Sequence, residues 1–92
     1  MSDQYKDILN TSSILVYNID DKQAIVNVID KFEQFQKQLM EKISTIENKM
    51  EIINKFQTLL LGVKYTLEKH DWVLLHEFIL NDLKNFDQLI GE

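Results

Sequence analysis

Ninety-two residues carrying fifteen acids, ten bases, two glycines and neither cysteine nor proline describe one small acidic domain. Folding such a chain buries roughly 60–65% of its unfolded surface, a thin margin for a lone monomer, so a partner is expected. The composition excludes a disulfide framework, a thiolate metal cage or a thiol nucleophile, and a net charge of −5 with lysine as the only base excludes the cationic footprint that nucleic acid requires.

Apolar runs are short. Residues 14–17, 59–61 and 72–75 are among the longest, far below the ~20 residues of a membrane span. Residues 1–6 include Asp3 and lead into no apolar stretch, unlike a secretory signal. A cytoplasmic protein is the expectation.

Helical periodicity runs through nearly the whole chain, so the fold class is all-α: a small antiparallel bundle of four helices over about 3–17, 20–43, 45–69 and 72–90, in a single domain spanning 1–92. In the first, Tyr5, Ile8, Leu9, Ser12, Leu15, Val16 and Ile19 recur at i, i+3 and i+4, and Ser2 is suited to cap the start. Residues 10–13 are poor helix formers, and with the β-branched run after them they also suit an extended arm; the missing two-residue alternation favours helix.

The second helix opens near residues 18–20, where Asp20 and Asp21 complement the positive end of the helix. Ile25, Val28, Ile29, Phe32, Phe35, Leu39, Met40 and Ile43 fall in an arc of about 140°, which is an ordinary amphipathic stripe. Ser44 and Glu47 read as a capping box that starts the third helix. The competing reading is one unbroken helix over 20–70, about 75 Å long at 1.5 Å per residue, in a coiled-coil dimer whose stripe is covered by a partner chain; a long helical hairpin is the other alternative. From residue 46 to 69 the apolar arc widens to roughly 200°, with Ile52, Leu59, Val63, Met50 and Leu61 at its margins, so this helix needs two neighbours. Lys69 and His70 close it, Asp71 caps the next, and Gly91 ends the chain's last helix.

That last helix is the most informative. Its stripe is Trp72, Leu75, Phe78, Ile79, Leu83, Phe86, Leu89 and Ile90. Val73 and Leu80 lie about 90° off it and Leu74 points elsewhere, so these three need another helix, another subunit or solvent. Asp82 projects into the middle of the apolar arc, and a buried acid must find a partner. Trp72 is most simply a plug over the bundle end with its indole N–H turned to water or a carbonyl, and secondarily an anchor for a partner. The expected partner-binding set is therefore Trp72, Val73, Leu74, Leu80 and Asp82.

Chemistry is sparse. His70 and His76 are six apart, whereas helical metal ligands pair at three or four, and no Glu-x-x-His pair or glycine-rich phosphate loop occurs. Asp20 with Asp21, and Glu47 with Glu51, read as helix-end acids and a solvated face. No catalytic, metal or cofactor residues are assigned; the chain reads as a non-enzymatic protein.

Leu67-Glu68-Lys69-His70-Asp71-Trp72, followed by Leu75, Phe78, Ile79, Leu83, Phe86, Leu89 and Ile90, resembles the C-terminal helical segment of FliT-type flagellar export chaperones over about a quarter of the chain. It also resembles small uncharacterised helical proteins of AT-rich Gram-positive bacteria. Asn81 and Asp82 stand where the chaperones often carry a basic residue. The resemblance implies a small chaperone or adaptor that packs an amphipathic helix of a partner by helix-in-groove contact. The expectation is thus a protein-interaction module with a protein partner, self-associating as a homo-oligomer (dimer), with neither nucleic acid nor membrane as a partner. A structural coiled-coil homodimer, or an acidic mimic of nucleic acid whose binding collapses with salt, are the alternatives.

Overall fold

A computed structural model describes residues 2–90 and shows an all-α bundle of four helices among them. They are α1 (Asp3–Tyr17), α2 (Lys22–Ile43), α3 (Lys49–Lys69) and a final helix made of α4 (Trp72–Glu77), a π-helical segment (Phe78–Leu83) and α5 (Lys84–Ile90). The expected stop at Gly91 lies outside the described residues. The bundle measures 41 × 23 × 19 Å, which excludes a rod of about 75 Å. None of the described helices is long and apolar enough to cross a membrane.

Local chemistry explains most of the boundaries. Ser2 caps α1, its hydroxyl accepting from the Tyr5 N–H at 3.2 Å, as expected. Asp21, not Asp20, caps α2 by accepting from the Ala24 N–H at 3.0 Å. The expected start at residue 20 is therefore two residues early, because Asp20 takes a left-handed φ of 63° outside the helix. The capping box at Ser44 and Glu47 does not form. Ser44 instead ends α2, its hydroxyl donating back to the Glu41 carbonyl at 2.8 Å, a local alternative that serine side chains readily offer. Turns over residues 44–48 carry the chain to Asn48, so α3 begins four residues later than the expected 45. At its far end His70 adopts φ 55°. The Asp71 N–H then reaches the Thr66 carbonyl at 2.9 Å and the His70 N–H the Leu67 carbonyl at 3.4 Å, a Schellman ending. Asp71 caps the final helix through the Leu74 N–H at 3.1 Å.

The core joins Tyr5, Ile8 and Leu15 of α1 to Val28, Phe35, Leu39 and Ile43 of α2 and to Leu75, Ile79 and Leu83 of the final helix. Backbones of α1, α2 and the final helix approach closely; α3 lies close to the final helix but stands off from α2. It reaches α2 through Phe56, whose ring stacks on Phe32 and Phe35 with centroids 5.7 and 6.3 Å apart and meets Phe86 edge-on at 5.2 Å. Such aromatic pairs add to the stabilisation from buried area. Four residues placed on buried arcs by periodicity are exposed instead: Ile19 beyond α1, Ile29 on α2, Met50 and Leu61 on α3. For α3 the reason is plain, since a helix leaning on one close neighbour cannot cover 200° of apolar arc.

One end of the bundle is closed by a polar contact between turns. The Asp20 carboxylate accepts from the His70 ring at 2.7 Å and from the Trp72 indole N–H at 3.0 Å through the same oxygen. Because a carboxylate only accepts, His70 carries its proton on Nδ1 here. Asp20 and His70, the two non-glycine residues with left-handed backbones among the described residues, thus hold each other. The His70 hydrogen bond, and after it that of Trp72, lowers the Asp20 pKa from the ordinary 3.8. A carboxyl more acidic in the folded state than in the unfolded one stabilises the fold above its unfolded value, and that contribution is lost as the pH falls through the lowered folded value. In urea titrations the stability difference between wild type and Asp20→Asn should therefore be present above about pH 4 and shrink steadily below it. A difference that persists unchanged to about pH 2 contradicts the contact.

Candidate functional site

The final helix departs from regular geometry in its middle, and the site follows from that departure. Leu75, Ile79 and Leu83 are fully buried at strict four-residue spacing. In a regular α-helix each step of four overshoots by about 40°, so the row would spiral off the core. The π-helical turn at Phe78–Leu83, with its wider i→i+5 winding, absorbs the overshoot and keeps the row facing inward as far as Asp87, which is only 2% exposed.

This corrects the position of Asp82. Expected in the middle of the apolar arc, it is exposed, and the buried acid of the final helix is Asp87. The Asp87 carboxylate accepts from the Ser2 backbone N–H, at 3.2 Å for the nearer oxygen, and from the Ser2 hydroxyl. Nearby, the Tyr5 hydroxyl donates to the Ile79 carbonyl at 2.9 Å inside the π turn. Burial, and then the Asp87 charge, raise the Tyr5 pKa, so the phenol stays a proton donor. A third contact from α1 is Ser12 with His76 at 2.8 Å. Since the Ser12 hydroxyl donates its one proton to the Leu9 carbonyl at 2.9 Å, the His76 Nδ1 is the donor of that pair.

On the other side, the final helix and α3 border a groove of about 590 Å³. The α3 bank consists of Ile52, Lys55, Thr58, Leu59 and Gly62; the opposite bank is Phe78, Asp82, Asn85, Phe86 and Leu89. From Ile52 to Gly62 the α3 bank takes ten steps of 1.5 Å, about 15 Å or some three helical turns. The floor is apolar and the rim polar. Gly62 brings the Phe78 ring against the α3 backbone, since a Cβ there would lie 3.1 Å from two ring atoms. Lys55 is paired with Glu51 of its own helix at 3.1 Å, whereas Asp82 has no ion-pair partner among the described residues. The rim therefore presents one unbalanced negative charge. A second groove of about 430 Å³ between α2 and α3 includes Ile29, Leu60 and Leu67 and marks the gap left where α3 stands off.

Of the five expected partner-binding residues, one lines the main groove: Asp82. Trp72 is buried at 4% exposure and plugs the bundle end, its N–H turned to a carboxylate rather than to water or a carbonyl. Val73 and Leu80 are exposed at 59% and 45%, off the stripe as expected, and Leu74 is half-buried; none of the three lines the groove. Sequence reading missed Phe78, Phe86 and Leu89 as groove residues because they sit on the same stripe as true core positions. The four-residue spacing of Leu75, Ile79, Leu83 and Asp87 was the available sign of the π turn. No group of three potential metal-ligating side chains occurs among the described residues. Comparison with protein families, with curated proteins and with solved structures gives no match for this chain.

Proposed function

We propose that this chain is a non-enzymatic protein-interaction module that binds the apolar face of an amphipathic helix in the groove between α3 and the final helix, as a small chaperone or adaptor does. The groove carries the reading: three turns long, apolar below and polar at the rim, it matches the i, i+3/i+4, i+7 anchors of helix-in-groove recognition. Asp82, unbalanced at the rim, favours a partner helix with a Lys or Arg beside its apolar stripe, because complementary charges at a rim select partners and speed encounter.

The test uses two synthetic amphipathic 14-residue helices, identical except for Lys or Glu flanking the Leu stripe, titrated into the 15N-labelled protein. The Lys peptide should shift amides along both banks and bind more tightly than the Glu peptide. Thr58→Trp, which sets an indole into the groove from an exposed position, should weaken it at least tenfold with unchanged helicity. Shifts scattered over α1 and α2, or indifference to Thr58→Trp, overturn the reading. A second reading, self-association, is favoured by Met50, Leu61 and Tyr65, which share one outer stripe of α3 at 53–69% exposure. Sedimentation velocity of the free protein decides it, a monomer at high micromolar concentration being the result against.

A further inference from the structure

We infer that Tyr5 and Ser2, which do not line the groove, are positioning residues that choose which side chains of the final helix face it. This rests on the groove being the binding site. In a regular α-helix Asp82 would lie about 20° from Leu75, in the core, and Asp87 about 120° from it, turned away. The structure shows the reverse, with Asp82 at the groove and Asp87 buried. The π turn produces the reversal, and an isolated helix does not favour such a turn, so it needs support from outside.

That support comes from one end of α1. The Tyr5 hydroxyl holds the Ile79 carbonyl within the turn, and the Ser2 N–H and hydroxyl hold Asp87 one turn beyond it. A side chain bonding into the carbonyl ladder is a recognised cause of local helix distortion. Asp82, Asn85, Phe86 and Leu89, four of the five residues on that bank, come after the start of the π turn. Release of the α1 contacts lets the helix rewind and rotates all four. Asp82 then swings toward the core, where an unpaired carboxylate is costly, and the bank loses its shape. The α1 terminus thereby acts on binding across the full width of the final helix.

A one-residue deletion separates this role from general stabilisation. Removing Asn81 from the π turn leaves Leu75, Ile79, Leu83 and Asp87 at four-, three- and four-residue spacing, which a regular α-helix accommodates. The downstream bank then keeps its orientation without support. In the full chain, Tyr5→Phe should speed amide exchange over 79–87 about fivefold, move the amide resonances of residues 82–89, and weaken the Lys peptide by a similar factor. In the Asn81-deleted chain the same substitution should do none of these. Equal effects in both backgrounds, unmoved resonances over 82–89, or failure of the deleted chain to fold would overturn the inference. Exchange and resonance shifts report register without any ligand, so a wild-type protein that ignores the peptide counts against the groove alone.

Discussion

Replacing Phe56 by Ala is expected to cost about 3–5 kcal/mol, the range for truncating a buried aromatic. Against a total stability of about 5–15 kcal/mol for a domain of this kind, that loss consumes much of the margin. Phe56 is fully buried and touches Phe32, Phe35 and Phe86 with its one ring. Because α3 and α2 share few close backbone contacts, their packing leans on side-chain contacts such as this ring. The substitution should lower the urea midpoint of the whole bundle and detach α3 first. Amide exchange should then speed most over residues 49–69, ahead of a cooperative loss of helicity. Trp72 is the only tryptophan and lies in the core next to the turn that ends α3, so its fluorescence follows the same event. Phe56→Leu, which keeps most of the volume, should recover over half of the loss. A cost below about 1 kcal/mol, the ordinary result for a surface site, is inconsistent with a ring that holds α3 in place.

The adjacent pair Asp82 and Leu83 gives the second large effect and tests the π turn directly. Leu83→Ala should cost about 2–5 kcal/mol, as buried leucine truncations do, while Asp82→Ala should stay within about 0.5 kcal/mol, as exposed sites do. A regular α-helix makes a different forecast. There Asp82 faces the core, and replacing a buried unpaired carboxylate by alanine stabilises the protein. Leu83 in that register sits about 80° from Leu75 and is cheaper to truncate. Denaturant midpoints for the two variants decide between the registers, and a stabilised Asp82→Ala protein would exclude the one described here.

These two predictions also mark how far the chain could be read from its residues. Helix number and approximate extent were legible because apolar spacing near 3.6 and helix-end acids are local signals; Ser2 and Asp71 cap where short polar side chains before an apolar run lead one to expect. The start of α3 was not legible, since Ser44 can bond forward as a cap or backward to the Glu41 carbonyl with comparable ease, and the descent of the chain into the turn chose the second. Of the groove residues only Asp82 was singled out, and it was expected in the apolar arc rather than at a rim. Val73 and Leu80 were recognised as lying off the stripe and are exposed, but they lie outside the groove. Phe78, Phe86 and Leu89, however, carry the same pattern whether a neighbouring helix covers them fully or leaves a channel.

What these ninety-two residues settle alone is class and outline: amphipathic stripes without proline make helices, and their polar ends make turns, whatever surrounds them. What needed the folded chain is phase and pairing. The final helix faces its neighbours with Leu83 and Asp87 rather than Asp82 because Tyr5 and Ser2, more than seventy positions earlier, bond to it. Asp20 leaves α2 to meet His70 and Trp72, some fifty positions later. The physical reason is common to both cases. A hydrogen bond between distant segments contributes about as much as a local propensity or a cap, so it can override either one, yet it leaves no trace in the spacing of nearby residues.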